Sequence, residues 1–193
     1  MNERGVFMKK TIALVLIVAL CCPMFGCSGK MTPVENFLLA TKKMDFAAMK
    51  AEVLPDETLG SFYLKLQRAS SLSEDSLRVL RDLYSLVQYT MGEISSEEGG
   101  EKTVSVTLKI PDMERIRTLS EAQILVSGDS AEDVVEDMLA NGSVSKSMMK
   151  EYTFAVKITE ADGGWKIPFG DKANAAFAEA LALAEMIDFF DLR

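Results

Sequence analysis

The chain of 193 residues contains no histidine. Its absence excludes Ser-His-Asp and Cys-His catalysis, zinc sites with an imidazole ligand, and pH switching by histidine. Any catalysis would have to use carboxylates, lysine or tyrosine, and no spacing in the sequence ties such residues into a catalytic motif. We therefore expect a protein that is not an enzyme, with no catalytic residue, no cofactor and no metal site.

Cysteine is confined to the first 27 residues, at Cys21, Cys22 and Cys27. The rest of the chain consequently has neither a disulfide nor a thiol nucleophile. A domain folded from that part must be stabilised by its hydrophobic core.

The sequence also lacks an apolar run long enough to span a bilayer. Ile12 to Cys22 comprises 11 apolar residues, preceded by Lys9 and Lys10 and followed by Pro23. A transmembrane helix needs about 20 such residues. A basic segment followed by a short apolar run is typical of a cleaved export signal.

The four residues Met24, Phe25, Gly26 and Cys27 resemble the lipobox of a bacterial lipoprotein precursor, in which a small residue precedes the cysteine that is diacylated. Gly26 and Cys27 match that pattern. Met24 and Phe25 depart from it, because the family usually has a leucine and a small residue at those places. Cys21 and Cys22 are weaker candidates, and an ordinary secretory signal with a chance cysteine is the alternative.

This resemblance implies a lipoprotein signal peptide over residues 1–26, cleavage between Gly26 and Cys27, and lipidation (palmitate) of Cys27. Residues 27–32 would then be a lipid-anchored tether, and residues 33–193 a single domain on the extracytoplasmic face of the cell membrane. The leader carries three of the 21 basic and one of the 29 acidic residues, so the exported part has a formal charge of −10. Such an acidic domain is a poor partner for nucleic acid.

Capping residues and apolar spacing predict helices in the N-terminal half of the domain. Thr32 and Pro33 begin the first helix, Asp45 restarts it after a break, and Ser73 begins another. The apolar stripe assigned to a helix after Asp56 comprises Leu59, Phe62, Tyr63 and Leu66, and the stripe assigned to the helix after Ser73 comprises Leu77, Leu80 and Tyr84.

Alternating residues predict two β-hairpins. Val104 to Ile110 alternates apolar and polar residues and pairs with Tyr89 to Ile94, and Tyr152 to Ile158 alternates likewise before the turn Asp162-Gly163-Gly164. The period over residues 83–96 fits a helix or a strand, and we favour a helix that ends near Ser85. Further helices follow Pro111 and Ser130, and a single C-terminal helix after Asp171 is predicted to bury Phe177, Leu181, Ala184 and Ile187.

This order predicts an α+β fold in which helices cover one face of an antiparallel sheet. Val34–Met49, Glu101–Asp112 and the hairpin that ends in Gly-Gly-Trp-Lys-Ile resemble uncharacterised lipoproteins of Gram-positive bacteria with a cystatin-like, nuclear transport factor two-like fold. The resemblance implies a curved, cone-shaped sheet, whose interior in relatives is a ligand pocket, a dimer surface or merely a core.

Four aromatic residues are candidates to line such a pocket, namely Tyr84, Tyr89, Tyr152 and Trp165. The alternative interpretation is that they are core residues, as aromatics on alternating strands usually are. The acidic stretch around Asp129–Asp137 lacks the glycine and terminal glutamate of an EF-hand loop and reads as a solvated helix face. We expect a membrane-anchored interaction module with an envelope protein partner, or alternatively a module that binds a small ligand; a carboxylate- or tyrosine-based enzyme is the third reading.

Overall fold

Helices make up the first half of the described chain. The computed structural model describes residues 32–96 and 101–191, all within one compact unit, Met31–Arg193. Its first four helices are α1 (Pro33–Lys43), α2 (Phe46–Glu52), α3 (Phe62–Arg68) and α4 (Glu74–Ser85). A short 3-10 turn, Ala69–Ser71, joins α3 to the segment before α4.

The predicted caps begin these helices. The Thr32 hydroxyl accepts from the Glu35 backbone N–H at 3.1 Å, and a side-chain oxygen of Asp45 accepts from that of Ala48 at 3.0 Å. Each bond satisfies a donor that the first turn of a helix leaves without an intrahelical partner. The break between α1 and α2 occurs at Met44, whose backbone is left-handed with φ 54°.

The prediction for Leu59 is wrong. The helix begins at Phe62 rather than after Asp56, because Ser61 is its cap and accepts from the Leu64 backbone N–H. Leu59 lies in the preceding turn and is 94% exposed, whereas Leu66, which the sequence placed on the same stripe, is 1% exposed.

Four strands form one curved antiparallel sheet in the order β1-β2-β3-β4. Their bounds are β1 (Gln88–Ser96), β2 (Lys102–Pro111), β3 (Met149–Ala161) and β4 (Gly164–Lys166). The ambiguous stretch is thus a helix to Ser85 followed by a strand. The register of β1 on β2 shifts between Met91 and Ile94, which is a β-bulge.

Buried and more exposed side chains alternate along β2, and the buried ones lie on the face of the sheet that the helices cover. Every second side chain is fully buried against the helices, namely Val104, Val106, Leu108 and Ile110. The intervening residues are hydroxyl-bearing or charged and lie on the outer face, where Thr107 and Thr153 are hydrogen-bonded across strands at 3.1 Å. The α+β class, with helices over one face of the sheet, is confirmed.

The second half adds five helices to the described chain: α5 (Met113–Ser127), α6 (Ala131–Ala140), α7 (Ser143–Ser147), α8 (Ala175–Leu181) and α9 (Leu183–Asp191). The prediction of a single C-terminal helix is wrong, because Ala182 has a left-handed backbone with φ 46° that separates α8 from α9. This break brings Leu183 into the core in place of Ala184. Phe177, Leu181 and Ile187 are buried as predicted.

Candidate functional site

Tyr84 is a core residue in the structure. Its side chain is fully buried, and its hydroxyl donates to the backbone carbonyl of Leu181 at 2.8 Å. Burial raises the pKa of the hydroxyl well above its usual value, and the negative charge of Glu185 adds to this effect. A phenol engaged in this way fills space between α4 and α8 and does not present its polar end to a ligand.

Tyr89 and Tyr152 lie on the helix-covered face of the sheet. In the register of the strands, Tyr89 of β1 is opposite Leu108 of β2, and Leu108 is opposite Tyr152 of β3. Cross-strand partners share a face, so the three side chains form one row. Leu108 is fully buried, while both tyrosines are partly exposed.

Trp165 lies near the other end of the sheet. It is opposite Glu160 in the pairing of β3 with β4, and the Lys102 ammonium lies 4.2 Å from the centroid of its ring. This is cation–π geometry. The indole is thereby packed under a lysine chain.

The four aromatic candidates therefore do not converge on one pocket. Buried aliphatic side chains occupy the space between the sheet and the helices at the centre of β2. Of the four, only Tyr152 lines either of the two cavities described below. The sequence predicted that helices cover one face of the sheet, but it left open whether a pocket remains between that face and the helices.

An open cleft lies beside the first residues of β3. A cavity of about 290 Å³ is bounded by the start of α5, by β3 and by α8, with Asp112, Glu114, Lys150, Tyr152, Phe154 and Glu179 in its walls. A second cavity of about 260 Å³ adjoins it and is lined by residues that include Arg117, Glu185 and Met186. Both cavities share Met113, Glu114, Glu179 and Ala182 in their lining, so they are adjacent parts of the cleft.

One charge in the cleft is neutralised by a neighbour. The Lys150 ammonium lies 2.9 Å from a carboxylate oxygen of Asp112, and the hydrogen bond between them raises the pKa of Lys150. The other oxygen of Asp112 caps α5 by accepting from the Arg115 backbone N–H at 3.2 Å. Of the residues in this cleft, the sequence indicated only Tyr152 as a candidate, because the cleft is formed by segments that are distant from one another in the sequence.

The two edges of the sheet differ. Beyond β4, the end of α2 joins the sheet: Ile167 donates to the Glu52 carbonyl and accepts from the Leu54 N–H, both at 2.9 Å. At the other edge, β1 pairs in the described sheet with β2 alone. Along β1, Tyr89 and Met91 are partly exposed and Ile94 is 52% exposed. The β1 edge is thus an open strand edge that carries apolar side chains.

A polar cluster connects the turn after β4 to the outer face of the sheet. The Lys157 ammonium lies 2.9 Å from carboxylate oxygens of both Glu101 and Asp171. The backbone N–H of Ala173 and the Lys157 ammonium lower the pKa of Asp171, while the two carboxylates raise that of Lys157. The Asn174 side chain accepts from the Lys157 N–H and donates to its carbonyl, which completes the cluster.

Several predictions concern parts of the chain outside the described residues. They are the signal peptide over 1–26, the cleavage and lipidation at Gly26 and Cys27, and most of the tether over 27–32. Within residues 32–96 and 101–191, no helix is long and apolar enough to cross a membrane. Nor do three or more carboxylates converge closely enough in these ranges to hold a metal ion.

Comparisons with known proteins give little further information. No protein-family model matches the chain, and no curated protein has significant sequence similarity to it. Among solved structures it is similar to ycdA, a candidate lipoprotein of Bacillus subtilis, with 18% sequence identity and a TM-score of 0.35. That similarity covers 76% of this chain and 45% of the length of ycdA. A TM-score this low does not establish a common fold, and the similarity identifies no function.

Proposed function

We propose that the chain is an exported lipoprotein, anchored by a lipid at Cys27 to the extracytoplasmic face of the cell membrane. Support comes from the basic pair, the apolar run too short to span a bilayer, and the Gly26-Cys27 junction. The described domain begins at Thr32, five residues after Cys27, so an extended tether reaches at most about 18 Å. The domain then works close to the membrane surface.

Labelled palmitate tests this anchor in the bacterium that makes the protein. We expect the natural chain to incorporate the label and Cys27→Ser to lose it. Cys22→Ser is the matched control, since it removes a thiol inside the leader and should leave labelling intact. Incorporation that persists in Cys27→Ser would refute the anchor.

The anchored domain serves, under the same proposal, as a non-enzymatic interaction module. The main support for an interaction module is the difference between the two edges of the sheet. Beyond β4, the chain at the end of α2 is hydrogen-bonded to the sheet, whereas the edge of β1 is open. An open edge presents backbone N–H and C=O groups that an extended segment can pair with, and neighbouring pockets or apolar side chains give the specificity. An extended segment of an envelope protein is the partner that fits.

Ile94 is the position at which to test this interaction. It is exposed and apolar at the β1 edge, and Leu59 is an equally apolar, exposed residue in a loop outside the sheet. A photo-crosslinking amino acid at position 94 should give a defined cross-linked product with an envelope protein in cells. The same group at position 59 should not.

A charged edge discourages strand addition. Ile94→Lys should therefore reduce recovery of that partner without changing the stability of the domain, because the side chain is more than half exposed. Equal cross-linking from positions 59 and 94, or unchanged partner recovery with Ile94→Lys, would contradict the interaction through β1.

We also propose that the chain is related to the lipoproteins of cystatin-like fold. It is supported by a helical N-terminal segment that precedes an antiparallel sheet, and by helices over one face of that sheet. The second candidate function, binding of a small ligand, is favoured by one observation only: Tyr152 lines the open cleft beside β3.

A further inference from the structure

The first half of β3 has backbone groups that point away from β2. The N–H and C=O groups of Lys157 are hydrogen-bonded to the Asn174 side chain, at 2.8 and 2.9 Å, so they do not take part in the pairing with β2. In an antiparallel pair every second residue points the same way, and the register of β2 on β3 has no shift. The backbone N–H and C=O groups of Glu151, Thr153 and Ala155 therefore point to the same edge.

The next row of the sheet is empty beside these six groups. β4 fills that row only opposite residues 159–161. The chain then leaves the row, because Ile167 is hydrogen-bonded to the end of α2 and Pro168 has no N–H. The Asn174 side chain takes the place opposite Lys157. Within residues 32–96 and 101–191, no group is hydrogen-bonded to the backbone groups that point outward at residues 151, 153 and 155.

A groove lies between β3 and α8. The cavity of about 290 Å³ is lined on the strand by Tyr152 and Phe154, and on the helix by Ala176, Glu179 and Ala180. Both rings are partly exposed and stack with centroids 5.7 Å apart, so they form an accessible aromatic surface. The two alanines have only a methyl group, and they leave space between the helix and the strand.

The backbone groups decide which kind of ligand fits. N–H and C=O groups repeated at every second residue are complementary to the backbone of another extended chain. Several peptide-binding domains take up an extended segment in this way, with pockets for alternate side chains. Residues 151–155 would pair with about five residues of such a segment, over roughly 14 Å. Every second side chain of the segment would then enter the groove.

The charge of the groove favours a basic side chain there. Glu179 is exposed in the wall of the groove and has no ion pair in the described part of the chain. Lys150, also in the lining, is already neutralised by Asp112. An arginine or lysine could lay its aliphatic part on the rings of Tyr152 and Phe154 and bring its charge to Glu179.

We propose that the groove between β3 and α8 binds an extended peptide segment. The segment adds a strand beside residues 151–155 and places an arginine or lysine side chain next to Glu179. This site is separate from the β1 edge and from the lipid anchor. It does not depend on the function proposed for β1.

The test uses the synthetic peptide acetyl-Val-Thr-Arg-Thr-Val-amide, titrated into the mature chain in a non-ionic detergent and followed by amide NMR shifts. We expect saturable shifts centred on Glu151, Thr153 and Ala155. Residues directly opposite one another share a face, so the two threonines of the peptide would pair with this edge while its arginine enters the groove. The peptide with proline in place of both threonines lacks the N–H groups needed and should not bind. The peptide with glutamate in place of arginine should bind at least about fivefold more weakly.

Substitutions at Ala155 test the edge itself. Ala155→Pro removes an N–H that is not bonded to β2, and it should weaken binding by about fivefold or more. Ala155→Val is the matched control, since it adds similar bulk and keeps the N–H. Unchanged amide spectra outside β3 would show that both variants are folded, and the proline peptide decides the question if Ala155→Pro does not fold.

Glu179→Gln should remove the preference for arginine over glutamate in the peptide. The proposal is overturned if the proline peptide binds equally well, if Ala155→Val weakens binding as much as Ala155→Pro, if the preference persists in Glu179→Gln, or if no peptide causes shifts. Shifts confined to Tyr89 and Met91 would also overturn it, while leaving strand addition at β1 intact.

Discussion

The Tyr84 hydroxyl donates a hydrogen bond of 2.8 Å to the backbone carbonyl of Leu181, across 97 residues of sequence. Leu181 is the last residue of α8, and the carbonyls at the end of a helix have no intrahelical donor. Both groups are buried. Tyr84 thus satisfies the carbonyl at the point where Ala182 turns the chain from α8 into α9.

Tyr84→Phe should destabilise the domain by about 1–3 kcal/mol, because it leaves the buried carbonyl of Leu181 without its donor. Urea unfolding of the mature chain measures the change. Tyr63→Phe is the control: Tyr63 is partly exposed, and its ring, which packs under Lys50, is retained. A loss as large for Tyr63→Phe as for Tyr84→Phe would show that the hydrogen bond is not the cause.

Ala182→Gly should stabilise the domain by about 0.5–1 kcal/mol. Alanine at φ 46° is strained, whereas glycine adopts this conformation readily. Ala178→Gly, inside α8, should instead destabilise by about 1 kcal/mol. Thermal unfolding of both variants checks the pair. The expectation fails if the two substitutions change the melting temperature in the same direction.

Leu66→Ala should cost about 2–5 kcal/mol, since it removes a side chain that is 1% exposed and leaves a cavity. Leu59→Ala should stay within about 0.5 kcal/mol of the natural chain, because Leu59 is 94% exposed. Chemical denaturation compares the two variants. Similar losses of stability at both positions would contradict this expectation and support the single apolar stripe that the sequence predicted.

The natural chain should lose stability as the pH falls through the acidic range, in part through Asp171. The pKa of this carboxyl is lowered in the folded state, so its contribution is complete above the unfolded pKa of about 4 and is lost as the pH falls through the folded value. Asp171→Asn keeps an oxygen for the Ala173 N–H but removes the charge beside Lys157. Its stability should therefore depend less on pH below about pH 5.

Urea unfolding at a series of pH values measures this slope. Glu160→Gln is the control, since it removes an exposed carboxylate that is outside every described ion pair. Parallel curves for the natural chain and Asp171→Asn would contradict the role of Asp171.

The sequence predicted the helices and strands well where local signals were strong. Thr32, Asp45, Ser73 and Ser130 all cap helices as expected, and the alternation in β2 is reproduced by fully buried side chains. These signals depend on residues within a few positions of one another. The error at Leu59 arose because Ser61 competes with Asp56 as a cap, and an apolar residue at helical spacing did not reveal which one is used.

The site was less predictable. The four aromatic candidates have side chains whose polar ends could point into a pocket, and Tyr152 does line a cavity. Tyr84 belongs to the core because α8 supplies a backbone acceptor 97 residues away. Glu114, Glu179 and Glu185 lie on three different helices, so no local spacing in the sequence indicated that they line the same cleft.

The sequence alone therefore determined the absence of histidine chemistry and of a thiol beyond Cys27 and the acidic charge. It also determined the order of helices and strands, except for the short helix α7 and the division of the C-terminal helix into α8 and α9. Those properties follow from composition and from contacts between near neighbours in the chain. Only the tertiary structure decided that the interior is closed around Leu108, that α2 joins the sheet beyond β4 while β1 stays open, and that a cleft forms beside β3. Packing between distant segments decides these features, because an apolar side chain specifies that it must be buried but not which partner buries it.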